Sequence, residues 1–168
     1  MNITISTSDS KNSWLNNDYP CLVIYEGISY KSAAAAYEAS KIDCSIEECK
    51  SLYNLESISY ITDELLLKLK ECMTSMKRLP LANLSAAGAR EYTRKIVPGD
   101  EWFEKNDKIL TDIIRAKFSI HNNPSMYKQL LNTKNMDIID GTNDNHMGRI
   151  LMKVRDEIYE DEFMKDIY

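Results

Sequence analysis

From residue 32 onward the chain is divided by helix punctuation, and that division limits its fold more than any other feature. A Ser, Thr, Asn or Asp opens most of the apolar-periodic stretches, and Pro or Gly closes several of them, which is how caps and stops are arranged around helices. Ser32 caps an Ala-rich helix running to about Lys41, with Ala33, Ala36, Tyr37 and Ser40 on one face. Ser45-Ile-Glu-Glu48 is a capping-box pattern opening a short second helix. Thr62 or Asp63 starts a longer one, with Leu65, Leu66, Leu69, Met73 and Met76 at helical spacing and an end before Pro80. Ser85 caps a helix to about Lys95, stopped by Pro98-Gly99. Asp100 begins the clearest amphipathic segment, whose inner face carries Trp102, Ile109, Leu110, Ile113 and Ile114. Asn123-Pro124, a cap followed by proline at the first helical position, opens a helix carrying Met126, Tyr127, Leu130 and Leu131. A last helix runs from Asn143 to about Tyr159, with Ile150, Leu151, Val154 and Ile158 buried. The acidic tail, 160–168, is expected to fray.

Strand signals are confined to short runs. Ile3–Ile5 reads as a strand, and Cys21–Tyr25 and Ile28–Tyr30 read as a hairpin around Glu26-Gly27. The expected fold is therefore one α+β domain over residues 1–168, predominantly α-helical with a small antiparallel sheet. Its 168 residues suffice to bury a core, and 43% apolar with 28% charged residues is a globular composition.

Charge and motif content exclude several functions. With 26 acidic against 21 basic residues, the net charge of -5 argues against a protein that holds nucleic acid mainly through phosphates, though not against a small basic pocket in an acidic shell. No apolar run approaches the roughly 20 residues of a membrane span, and the start, MNITISTSDSK, lacks signal-peptide character. Cys21, Cys44, Cys49 and Cys72, with His121 and His146 the only histidines, do not make the paired spacing of a zinc site; four reduced thiols in a cytoplasmic protein are expected, with no metal and no cofactor. Walker loops, dinucleotide fingerprints, zincin motifs and nucleophile elbows are absent from the sequence.

One ordered set of strings is specific. Leu15-Asn-Asn-Asp-Tyr-Pro20 precedes the hairpin, and Tyr30-Lys-Ser-Ala-Ala-Ala-Ala-Tyr-Glu-Ala-Ser-Lys41 follows it. Then come Ala89-Arg90, Trp102, Ala116-Lys-Phe118, Asn123-Pro124, Leu130-Leu-Asn-Thr133 and Asn145-His-Met-Gly-Arg-Ile-Leu-Met-Lys-Val-Arg155. This succession, over about residues 13–158, resembles the NADAR family, the YbiA-like N-glycosidases. The family runs Leu-Ser-Asn-Phe-Tyr-Pro, Tyr-x-Ser-x-Glu-His-x-Tyr-Gln-Ala-x-Lys, Ala-Lys, Trp, Lys-Phe and Asn-x-Leu-Gly-x-x-Leu-Met-x-x-Arg. The resemblance implies the NADAR fold and cleavage of an N-glycosidic bond in a ribosyl substrate. Family members act on phosphorylated ribosyl intermediates or remove ADP-ribose from guanine, and some counter ADP-ribosylating toxins.

Such chemistry needs a carboxylate beside an oxocarbenium-like centre. This chain departs from the pattern there: the family's Glu-His falls on Ala34-Ala35, and its Asp-x-x-Trp-Gly segment is missing between Ile138-Ile-Asp-Gly141 and Asn145. Glu38, one turn beyond Ala34, is the remaining catalytic candidate, with Asp140 or Asp144 as a replacement acid; the reading that the residues favour is that Glu38 is a helix acid facing solvent or pairing with Lys41. By resemblance, Asn17, Lys41, Arg90, Lys117, Asn145 and Arg149 bind a ribosyl phosphate or pyrophosphate. Read from the residues alone, the Lys and Arg are solvated helix faces, Asn145 is an N-cap, Trp102 is core, and Arg155 makes a buried ion pair.

Three functions are expected in order. The first is a catalytically degenerate NADAR-like protein that binds and antagonises an ADP-ribosyltransferase toxin or its ADP-ribosylated product, a counter-defence factor of bacteriophage type acting in host cytoplasm. The second is an active N-glycosidase using Glu38. The third is a scaffold whose old pocket has filled in. A deep cleft joining Arg90, Lys117 and Arg149 with Glu38 pointing inward would mark the enzyme, an open cleft without a carboxylate the binder, and a packed one the scaffold.

Overall fold

In the computed structural model, which describes residues 2–5, 11–55 and 61–165, the hairpin forms as the turn chemistry dictates. β2 (Val23–Tyr25) and β3 (Ile28–Tyr30) pair antiparallel with Val23 opposite Tyr30. Glu26 and Gly27 both take positive φ, 46° and 77°, the pair of angles that matches the twist of a two-residue hairpin loop. Alternation puts Val23, Ile28 and Tyr30 inside and Ile24 outside. A second pair is parallel: β1 (Asn2–Thr4) lies beside β4 (Asp137–Ile139), Ile3 opposite Ile138.

Seven helices surround these strands among the described residues: α1 (Ala33–Ser40), α2 (Ile46–Leu52), α3 (Asp63–Arg78), α4 (Ala86–Thr93), α5 (Asp100–Lys117), α6 (Pro124–Asn132) and α7 (His146–Lys165). α1 is the central one. Its four consecutive alanines are buried, and their small side chains let α4 and α5 pack closely against it. Leu15, Val23, Tyr30, Leu81, Ile113, Ile114, Phe118, Leu130, Ile138, Leu151 and Val154 complete the main core. A satellite core of Cys44, Cys49, Leu66 and Met73 joins α2 to α3; the two thiols there are free, with sulfurs 3.6 Å apart. Arg78 ties this satellite to the body. Its Nε donates to the Ile42 carbonyl at 2.9 Å and its guanidinium pairs with Glu26 at the hairpin tip.

Four expectations are corrected. The final helix starts at His146, not Asn143, and continues through the stretch expected to fray, as far as Lys165; residues 166–168 lie outside the described residues. Asn123 does not cap α6 with its side chain, which instead donates to the Leu22 and Lys117 carbonyls at 2.6 and 2.8 Å. Of the apolar stripe on α3, Leu66 and Met73 are buried, but Leu65 and Met76 are exposed. Trp102 is half-buried and stands outside the main core cluster. No helix among the described residues is long and apolar enough to cross a membrane.

Candidate binding cleft

The segment before the hairpin lies across the start of α1. Ser32 caps the helix by accepting from the Ala35 N–H at 3.1 Å, and the Ala34 N–H, one of the donors a helix leaves unsatisfied at its first turn, bonds the Asn17 carbonyl at 2.9 Å. Ala34 is 5% exposed and Ala35 fully buried. Asn17 Nδ2 reaches Met147 Sδ at 3.6 Å, while its Oδ1 is buried with no hydrogen-bond partner among the described residues. Lys117 lies in the same region and is 0% exposed. Its ammonium donates to the Asn16 carbonyl at 2.6 Å and sits 5.2 Å from the Phe118 ring centroid. Burial pushes its pKa down to about 8.

One turn further along α1 the surface opens into a cleft of about 360 Å³, lined in part by Glu38, Lys41, Arg90, Thr93, Trp102 and Phe103. Glu38, 8% exposed, is held by Lys41 Nζ at 2.8 Å from both carboxylate oxygens and by a donated Thr93 hydroxyl. The Lys41 ammonium lies 5.6 and 5.9 Å from the Tyr37 and Trp102 ring centroids, within cation–π range. Trp102 is fixed by its indole N–H, which donates to Ser40 Oγ at 3.0 Å, and by edge contact with the exposed Phe103, 5.3 Å between centroids. At the rim, Arg90 makes a two-pronged pair with Asp18, one arm 2.8 Å long.

The loop entering α7 is closed on itself. Asn145, at φ 48°, donates from Nδ2 to the Ile138 carbonyl and accepts at Oδ1 from the Asp140 N–H, both at 2.8 Å. Asp140 accepts from the Thr142 N–H and hydroxyl at 2.8 and 2.6 Å and from the Met147 N–H at 2.7 Å. Burial opposes its ionisation, but these bonds and one from the Gly148 backbone outweigh it and hold the carboxyl below its ordinary value. The exposed Asp144 is held low chiefly by the Thr142 hydroxyl.

The structure thus distributes the sequence candidates. Glu38, Lys41 and Arg90 meet at one cleft; Asn17 and Lys117 lie beneath the neighbouring surface; Asp140, Asp144 and Asn145 build the α7 entry loop. Arg149 lines a separate groove of about 570 Å³ between α5 and α7, with His146, Asp107 and Lys153 among its neighbours. Thr93 and Phe103 were not among the sequence candidates, and Trp102 was read as core and not as a stacking platform. Arg90 and Thr93 recur at helical spacing on α4, which was the available signal for the threonine. Arg155 is buried as expected, but its main partners are the Met136 carbonyl at 2.7 Å and Thr133, with Asp156 3.2 Å away at the surface. Among the described residues, no group of three or more His, Cys, Asp or Glu is placed to hold a metal ion.

A hairpin feeding a buried Ala-rich helix, with a long helix behind it and a last helix entered from a short parallel strand, defines an α+β fold of the YbiA type. No family model matches the chain, and no curated protein does. A solved structure similar to it is the NMR structure of the Escherichia coli protein YbiA, with a TM-score of 0.66 and 16% identity over 97% of this chain and 89% of that one. That likeness establishes the fold.

Proposed function

We propose that this protein acts by binding and not by hydrolysis, at the cleft beside α1, on a ligand with the chemistry of ADP-ribose. The observation that carries the reading is the state of Glu38. It is the one carboxylate among the cleft-lining residues, and Lys41 and Thr93 both bond it. A general base or nucleophile needs an oxygen free to approach the reacting atom. Ala34, where the resemblance places glutamate, ends in a methyl that is 5% exposed and can neither stabilise charge nor activate water. Asp140, the replacement acid, is spent on capping α7. The cleft carries the groups such a ligand would use: Arg90 and Lys41, which phosphate oxygens would have to draw from Asp18 and Glu38, and the Trp102 and Phe103 rings for a base. Following the resemblance, the biological form of this binding is antagonism of an ADP-ribosyltransferase toxin or its ADP-ribosylated product, and the net charge of -5 suits a basic protein partner.

ADP-ribose at about 100 times its dissociation constant is expected to add about 2.7 kcal/mol of stability, a rise of about 5–10 °C in Tm for a chain of this size. Arg90→Ala removes that rise while changing the ligand-free Tm little, because its exposed pair with Asp18 contributes at most about 1 kcal/mol. A flat melting curve through millimolar ligand would sink the nucleotide-binding reading. Release of ADP-ribose from ADP-ribosylated guanosine is expected at the buffer rate, and Ala34→Glu alone is expected not to raise it, since residues of one catalytic unit are not additive. Turnover by the unmodified protein that disappears in Glu38→Ala would establish the enzyme instead.

A further inference from the structure

Two thiols close the start of α2. Ser45 caps the helix by accepting from the Glu48 N–H at 3.0 Å, so Cys44 stands just before the cap and Cys49 at the fourth helical position. Side chains at those two positions meet across the first turn, where an apolar pair ordinarily packs as a staple. Here both are cysteine, both are 0% exposed, and their sulfurs are 3.6 Å apart. Any two apolar side chains of this size would serve as a staple. Two thiols in contact can also be joined.

The surroundings define what joining them does. Cys44 is anchored on α3: its N–H donates to Thr74 Oγ1 at 3.1 Å, that hydroxyl donates to Asp43 at 3.1 Å, and Asp43 pairs with Lys70 at 2.9 Å. The body of α2 is held by less, the satellite core with Leu66 and Met73 and the Glu48–Lys77 ion pair at the surface. A core of that size lets a seven-residue helix open locally at far lower cost than global unfolding. A bond from Cys49 to Cys44 would tie the middle of α2 to a residue whose backbone is already fixed on α3.

We infer that Cys44 and Cys49 form a reversible disulfide that latches α2 on α3, with a small-molecule disulfide as the oxidant. In the closed helix the pair is inert. Burial, with the Cys49 thiol and the Glu48 carboxylate beside it, pushes the Cys44 pKa up to about 12, and the attacking species in exchange is the thiolate. Exchange therefore starts when α2 lifts. One protein thiolate attacks a sulfur of the oxidant, whose S–S bond breaks to release one small thiol and leave a mixed disulfide. The second protein thiolate then displaces the other small thiol, and the Cys44–Cys49 bond forms. The protein gives up two electrons and two protons, and the oxidant takes both and leaves as two thiols. Closure of α2 and formation of the bond favour each other by one and the same factor. If the native packing holds the sulfurs together, the bond forms more readily in the folded chain than in the unfolded one, and α2 opens less once it has formed.

The full chain is equilibrated in glutathione buffers of rising disulfide content, trapped with acid and alkylated, once in native buffer and once in about 8 M urea. Mass spectrometry is expected to show a loss of about 2 Da, with the bond mapped to Cys44 and Cys49. The effective concentration of the pair should be at least about tenfold higher in native buffer than in urea, where the two residues meet only as the ends of a flexible loop. A second measurement also needs no substitution: hydrogen exchange of the α2 amides should slow at least about tenfold on oxidation, while that of α5 stays unchanged. Cys49→Ala, checked for folding by circular dichroism, should lose both the bond and the slowing. An effective concentration in native buffer equal to or below that in urea overturns the inference. So does a bond that maps to Cys21 or Cys72, and so do α2 amides that exchange no slower in the oxidised chain.

Discussion

Gly148→Ala should lower the stability of the protein by about 3 kcal/mol or more, a fall in Tm of about 6–12 °C. Local propensity argues the other way. Gly148 sits in the first turn of α7, and replacing a helical glycine by alanine ordinarily gains up to about 1 kcal/mol. Packing reverses the sign. A Cβ at this position would stand 2.1 Å from the Ile138 carbonyl oxygen and 2.3 and 2.5 Å from the Asn145 amide atoms. None of these can step aside freely. Ile138 is the middle residue of β4, paired with Ile3, and its carbonyl is already bonded by Asn145, which also holds the Asp140 backbone. Accommodating one methyl therefore means lifting α7 off β4 and opening the loop in which Asp140 caps the helix. Gly88→Ala supplies the internal control. Its nearest neighbours would be Ser85 Oγ at 3.4 Å and Leu84 Cβ at 3.5 Å, ordinary contacts, so there the propensity gain survives and stability is unchanged or slightly higher. Urea titration of both variants is the measurement; equal midpoints would show that the β4–α7 contact yields more easily than its geometry implies.

The local parts of this architecture were legible because their causes lie within a few residues of their effects. Ser32, Ser45, Thr62 and Ser85 each read as an N-cap, and each accepts the N–H three residues on, at 3.0 to 3.2 Å. Glu26-Gly27 fixed the hairpin for the same reason. The β1–β4 pairing was not legible, since its partners are 135 residues apart (137 minus 2) and nothing in a three-residue strand names its neighbour. The start of α7 was misplaced because the capping carboxylate, Asp140, acts from outside the helix while Asn145, a cap-type residue, is turned to positive φ and faces β4. On α3, periodicity found apolar residues but merged two rows, one packed on α2 and one open to solvent; spacing identifies a face and leaves unnamed what covers it. At the cleft, the Glu38–Lys41 contact followed from helical spacing, whereas the Thr93 bond to the same carboxylate joins two helices and has no local signature.

Lys117 was read as a cleft cation, yet the α5 pattern held the contrary signal. Leu110, Ile113, Ile114 and Lys117 fall at i, i+3, i+4 and i+7, so the lysine continues the buried row of its own helix. An ammonium there has the Asn16 carbonyl for a hydrogen bond and the Phe118 ring beside it, and desolvation lowers its pKa from the ordinary value near 10.4 to about 8. The consequence for stability has a definite sign. Between pH 8 and about 10.4 the unfolded lysine is protonated and the folded one is neutral, so unfolding takes up a proton and rising pH favours the native state. Below pH 8 both states are charged and the full burial cost is present; above about 10.4 both are neutral and it is gone. Tyr30 and Tyr127, each pushed up to about 12 by burial, act in the opposite direction over part of this range. A comparison with Lys117→Met cancels them, because both proteins carry both tyrosines. The methionine fills similar space without a charge, at a fixed cost for the Asn16 carbonyl left without its donor. The stability difference, variant minus unmodified chain, is therefore expected to fall by about 2–3 kcal/mol as pH rises from 7 to 10.5. Nearly all of that fall should lie above pH 8. Urea unfolding at half-unit pH steps measures it, and a difference that stays constant across the range would mean that the Lys117 amine keeps its ordinary pKa and is hydrated in the folded protein.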